Sequence, residues 1–116
     1  MKKQSREYIL FIEDILLSME RIQEYIEGLN FIAFMDDSKT VDAVIRNFEI
    51  IGEASKNIPK RIKEKYEDVP WEEMYRLRNK VNHEYFGIDY ETIWEIATNN
   101  IPHNYLQLKE ILEKEQ

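Results

Sequence analysis

Arg78-Asn79-Lys80-Val81-Asn82-His83 places a guanidinium, two carboxamides and an imidazole within six consecutive positions of the stretch PWEEMYRLRNKVNHEYFGID. Arginine stays charged and can fork onto a phosphate, and an imidazole with a free pKa of ~6.5 gives or takes a proton near neutral pH. The set suits phosphate chemistry. The residue types alone favour an ordinary structural reading, in which Arg78 pairs with an acid from another helix, Asn82 serves as a cap and His83 is a partly exposed helix residue.

One helix has to position these groups. Pro70 can open it, because an N1 position needs no backbone donor, and Gly87 can close it in a left-handed cap. The expectation is a single helix over 70–86. At about 100° per residue, Leu77, Val81, Met74, Tyr85, Trp71, Tyr75 and Phe86 fill an arc of roughly 180°. Arg78 and Asn82 fall inside that apolar arc, Asn79 lies just beyond Phe86, and His83 follows at the edge.

The rest of the chain reads as helices around it. Tyr8, Ile12, Ile15, Met19, Ile22 and Ile26 recur at helical spacing and predict a first helix from about Ser5 to Glu27, stopped at Gly28. Leu29 to Asp37 reads as a connector with an apolar patch at Phe31, Ile32, Phe34 and Met35. Asp36-Asp37 is too small a set for a hard cation, and capping of the next helix is expected there.

The next helix, Thr40 to Asn57, carries Val41, Val44, Ile45, Phe48 and Ile51 on one side, and its small residues Gly52, Ala54 and Ser55 allow a neighbour to come close. Arg46 and Glu53 share a face; they pair with each other, or one of them pairs with Arg78. Pro59 starts a short basic helix from Lys60 to Glu67. After Gly87, Asp89 or Thr92 caps a helix that is expected to break at Asn99-Asn100 before Pro102, and a last helix runs from Asn104 to Lys114 with His103 at its boundary. No strand-like alternation, repeat or low-complexity segment occurs. The expected fold is all-α, a single domain over 1–116 built as an antiparallel four-helix bundle with additional short helices.

Composition narrows the function classes. The chain has 116 residues, 43% apolar and 34% charged, with no cysteine and two histidines, His83 and His103. Disulfides and thiolate metal sites are thereby excluded, and no metal or cofactor is expected. The apolar N-terminal run is interrupted by Glu7, Glu13 and Asp14 and leads to no small-residue cleavage site, and no stretch approaches membrane-spanning length, so a cytoplasmic protein without membrane contact is expected. A net charge of −7 argues against broad sequence-independent nucleic-acid binding. Locally, Lys56, Lys60, Arg61, Lys63 and Lys65 stand against Glu53 and Glu64, an excess of +3 between Ile51 and Tyr66. That segment either borders an RNA groove or is a solvated helix face.

The residues at 78–83 fit the Arg-x4-6-His pattern of HEPN-domain ribonucleases, with a polar Asn79 directly after the arginine. Tyr85 extends it to Arg-x4-His-x-Tyr, and Ile51-Gly52-Glu53-Ala54, Pro70-Trp71, Phe86-Gly87 and Trp94 resemble the HepT-like branch over nearly the whole chain. The resemblance implies metal-independent endoribonuclease activity, with Arg78, Asn79 and His83 catalytic; Lys56, Lys60, Arg61 and Lys80 are RNA-binding candidates by their charge alone. It further implies a toxin of a toxin–antitoxin pair, a homodimer that brings two motif helices together, and AMPylation of Tyr85 by a minimal nucleotidyltransferase antitoxin. With a dimer in view, Trp71, Tyr75 and Phe86 are expected to face the other subunit while Leu77 and Val81 face the core. The competing reading is a non-cleaving dimeric nucleotide-binding or adaptor subunit of a nucleotidyltransferase complex.

Overall fold

The structure, a computed structural model, describes residues 2–81 and 89–116. Its elements are α1 (Lys2–Ile26), α2 (Phe31–Asp36), α3 (Ser38–Lys56), α4 (Lys60–Lys65), α5 (Trp71–Val81), α6 (Tyr90–Glu95), a π turn (Ile96–Asn100) and α7 (Ile101–Glu115). Among the described residues there is no strand, and no helix is long and apolar enough to cross a membrane.

The end of α1 and the starts of α3 and α6 are set by local sequence signals. Gly28 sits at φ +79°, a conformation that costs a Cβ-bearing residue more, and α1 ends two residues before it. Asp37 caps α3 by accepting from the Thr40 backbone N–H at 3.2 Å and from its hydroxyl at 2.8 Å. Asp89 repeats the arrangement at α6, accepting from Thr92 N–H at 3.1 Å and Thr92 O–H at 2.7 Å. Both aspartates thus satisfy backbone donors that a helix start leaves open.

Burial follows the predicted stripes. Ile12, Ile15, Met19 and Ile22 of α1 meet Val44, Phe48 and Ile51 of α3 and Ile101, Leu108 and Ile111 of α7 in one core. Hydrogen bonds Tyr8 to Glu115 and Tyr105 to Glu20 tie opposite ends of α1 and α7, so these two helices run antiparallel. Helix α5 closes the bundle against α3, where Tyr75 and Arg78 lie on Gly52, while its Met74 and Leu77 are buried.

Three expectations about the elements are corrected. The connector after α1 holds a helix, α2, because Asn30 caps it and Phe34, fully buried, packs on Trp94 with ring centroids 5.0 Å apart. The break before Pro102 does not occur: a π turn leads from α6 into α7, with the Ile101 N–H donating to Ile96 O. A widened turn lets the helix pass a residue that has no N–H and whose ring would crowd the preceding turn. His103 is therefore an exposed residue inside a continuous helical path rather than a boundary residue. Trp71, expected on a subunit-facing side, is buried in the core of the chain and its indole N–H donates to Tyr66 O at 3.0 Å.

The C-terminal end of α7 is fastened by a polar cluster. The Glu115 carboxylate accepts from Lys65 Nζ at 2.7 Å, from the Tyr66 hydroxyl and from the Tyr8 hydroxyl at 2.7 Å, joining α7 to α4 and α1. These donors, Lys65 first, hold the Glu115 carboxyl down at about 2, against an ordinary 4.5. Burial and the Glu115 carboxylate push the Tyr8 hydroxyl up to about 12. The folded chain holds Glu115 ionised where the unfolded chain would already protonate it, so the stabilisation is full above pH 4.5 and is lost as pH falls toward 2. On the alkaline side the Tyr8 contribution is present below pH 10 and is lost as pH rises through 12. Glu115→Gln is expected to lower stability at pH 7 by about 1–2 kcal/mol, a figure reduced for solvent screening, and to flatten the acid limb of a plot of unfolding free energy against pH.

Candidate active site

Helix α5 and the middle of α3 approach each other unusually closely. A Cβ built on Gly52 would lie 2.9 Å from Arg78 Cβ, 2.9 Å from the Arg78 backbone nitrogen and 3.0 Å from Tyr75 O. Only a residue without a side chain fits there, which is the packing reason a mid-helix glycine needs to offset its cost of about 1 kcal/mol. The backbone of Arg78 is thereby seated against α3.

The next residue on α3 reaches the arginine head group. Arg78 Nη1 lies 2.8 Å from Glu53 Oε1, with 34% of the Arg78 side chain and 52% of the Glu53 side chain exposed. The pairing of Arg78 with an acid of another helix is what the ordinary structural reading anticipates. The pair is not buried, however, and guanidinium donors beyond those a single carboxylate can take remain within reach of solvent and ligands. Arg46, the alternative partner of Glu53, is instead 3.6 Å from Glu49.

Asn79 follows Arg78 on α5 and is exposed. Lys80 lies on the same helix. The helix expected over 70–86 is described from Trp71 to Val81, and Asn82, His83, Tyr85, Phe86 and Gly87 lie outside the described residues. Arg78 and Asn79 are thus adjacent on one described turn, while the relation of His83 and Tyr85 to them is that of the sequence.

The basic candidates are spread out. Lys56 is exposed in the last turn of α3, three residues after Glu53. On α4, Lys60 lies 3.9 Å from Glu64, and the Arg61 guanidinium stands 5.3 Å from the centre of the Tyr8 ring. Lys65, part of the same basic run, is engaged by Glu115. The local positive excess is therefore partly absorbed by contacts within the fold.

Two hollows flank these helices. A groove of about 590 Å³ opens between α5 and the π turn, walled by Met74, Leu77, Ile96 and Ile101 with Glu73 and Arg76 at its edge; neither Arg78 nor Asn79 lines it. A shallower one of about 230 Å³ lies between α1 and α3 and includes Glu53, with Asp14, Arg46 and Glu49. The chemistry of the larger groove is apolar and acidic, which does not suit a phosphate. The Arg78–Glu53 locus, where a fixed guanidinium is accessible, is the better candidate.

Comparison with known proteins agrees with the class of chemistry. The sequence model described as "Ribonuclease HepT-like" matches residues 15–113, and the chain belongs to this HepT-like family of ribonucleases. "Putative RNase MJ0127" of Methanocaldococcus jannaschii is 46% identical over 103 residues, covering 89% of this chain and 85% of the relative. "Putative RNase TTE0752" of Caldanaerobacter subterraneus is 44% identical over 106 residues, 91% of this chain and 95% of the relative. "Probable ribonuclease HepT" of Thermococcus cleftensis is 44% identical over 102 residues, 88% of this chain and 90% of the relative. No solved structure matches the chain at a significant level.

Proposed function

We propose that the protein is a metal-independent endoribonuclease that cuts RNA by attack of a ribose 2′-hydroxyl on the adjacent phosphorus. The observation that carries this reading is Arg78 itself: a family motif arginine of α5 seated against α3 at Gly52, with its guanidinium held by Glu53 and still accessible. Membership of a ribonuclease family supports it.

His83 removes the 2′-hydroxyl proton as the oxygen–phosphorus bond forms, and a histidine returns a proton to the departing 5′-oxygen. Arg78 stabilises the negative charge that builds on the phosphorane, and Asn79 orients the phosphate or the imidazole. The products are a 2′,3′-cyclic phosphate and a 5′-hydroxyl. Base and acid in one turnover call for two imidazoles, and a homodimer that brings two Arg-x4-His motifs together supplies them. Lys56, Lys60, Arg61 and Lys80 would then contact RNA on either side.

On this reading the protein is the cytoplasmic toxin of a toxin–antitoxin pair. A minimal nucleotidyltransferase transfers AMP from ATP to the Tyr85 hydroxyl with release of pyrophosphate. The added phosphate and adenosine place negative charge and bulk close to Arg78 in sequence and on the helical wheel, and so compete with RNA. The alternative, a non-cleaving nucleotide-binding or adaptor subunit, draws on the engagement of Arg78 by Glu53 and on the net charge of −7.

The two readings separate in one assay. Purified wild type and His83→Ala are incubated with transfer RNA and structured RNA in excess chelator. The ribonuclease reading expects cleavage by wild type and its loss in His83→Ala; a folded wild type that leaves every RNA intact would favour the adaptor.

A further inference from the structure

The ion pair between α3 and α5 has more to it than charge neutralisation. Arginine has many rotamers, and one that must meet a phosphate in a defined geometry works better when its head group is held in advance. Two contacts on α3 do this at consecutive positions. Gly52 lets the Arg78 backbone and Cβ press against the helix, and Glu53 takes the guanidinium at 2.8 Å. A carboxylate accepts at most two of the five guanidinium N–H groups, so the remaining edge stays available to an anion. With 34% of the Arg78 side chain exposed, the pair lies at the surface and not in the core.

We infer that Glu53 is a positioning residue for the reaction, holding the Arg78 guanidinium so that its free edge meets the scissile phosphate. This rests on the ribonuclease reading above. Glu53 itself touches neither phosphate nor sugar. Its carboxylate holds the guanidinium through a close ionic contact at 2.8 Å, so glutamine in its place keeps the size and loses the charge that does the holding.

The test is steady-state RNA cleavage by the full chain as wild type, Glu53→Ala and Glu53→Gln, with thermal melting of each. Glu53→Ala is expected to lower kcat by about 10- to 100-fold with KM little changed, and Glu53→Gln, which keeps the size without the charge, to fall between alanine and wild type. A folded Glu53→Ala with wild-type kcat overturns the inference and leaves Glu53 a structural residue. A lower KM with undiminished kcat also overturns it, because Glu53 would then be a counter-ion that RNA displaces. Wild type without any His83-dependent cleavage overturns the ribonuclease reading, and the inference falls with it; the other two outcomes strike the inference alone.

Discussion

Arg78→Ala is expected to reduce RNA cleavage by about 10²- to 10³-fold while leaving thermal stability nearly unchanged. The two magnitudes separate because they come from different environments. In the resting fold Arg78 meets Glu53 across a half-exposed pair, and such pairs contribute about 0–1 kcal/mol. In the proposed transition state the same guanidinium would face charge that develops on phosphorus, where one preorganised donor is worth several times more. Arg78→Lys keeps the charge and loses the fork, and should fall between wild type and alanine. Single-turnover cleavage together with a thermal melt checks the pair of expectations. An Arg78→Ala protein that cuts RNA at the wild-type rate would leave the arginine with its structural role only.

The second large effect is expected at Gly52. A methyl there gains about 1 kcal/mol of helix propensity, but its Cβ meets Arg78 Cβ and backbone nitrogen at 2.9 Å and Tyr75 O at 3.0 Å. Backbone atoms cannot swing aside as the end of a side chain does, so α5 must move off α3. Overpacking of this kind costs about 1–3 kcal/mol for small additions, and Gly52→Val, which adds two further methyls, is expected at the upper end. Because the displaced residue is Arg78, cleavage should fall further than the loss of folded protein accounts for. Denaturant unfolding gives the first quantity, and activity corrected for folded fraction gives the second. Valine accepted without loss of either would mean that the close approach at Gly52 is dispensable.

Much of this fold is legible from local signals. The apolar stripes of α1 and α3, the stop at Gly28, and the caps at Asp37 and Asp89 follow from spacing and side-chain chemistry within a few residues. What sequence alone hides is decided by distant partners. Phe31 and Phe34 read as a loose apolar patch until Trp94, sixty residues away from Phe34, gives them a surface to pack on and α2 forms. Pro102 reads as a break because the rule considers a regular α-turn, whereas the π turn at Ile96–Asn100 carries the path past it. Trp71 falls within an apolar arc that a helical wheel cannot divide between core and surface; its partner is the Tyr66 carbonyl in the turn just before it. Glu115 carries no signal at all in a charge-rich tail, yet it gathers two tyrosines and a lysine.

The candidate site is legible in the same partial way. Arg78 and Asn79 are visible as polar residues on or beside an apolar helix face, and Glu53 as an acid that could pair either with Arg46 or with Arg78. The pairing of Glu53 with Arg78 rather than with Arg46, and the role of Gly52 in seating Arg78, depend on how α3 and α5 are set against each other. Nothing within either helix specifies that register.

The most direct test of the proposed chemistry uses an RNA cut by the wild-type protein and the same RNA carrying a single 2′-deoxy nucleotide at the cleavage position, both in excess chelator. Attack by the 2′-hydroxyl predicts a 2′,3′-cyclic phosphate and a 5′-hydroxyl at the natural site, and no cut at the substituted one. Cleavage that persists at the 2′-deoxy position, or products ending in a 3′-hydroxyl and a 5′-phosphate, would mean that water attacks the phosphorus, and the roles proposed for Arg78 and His83 would not stand.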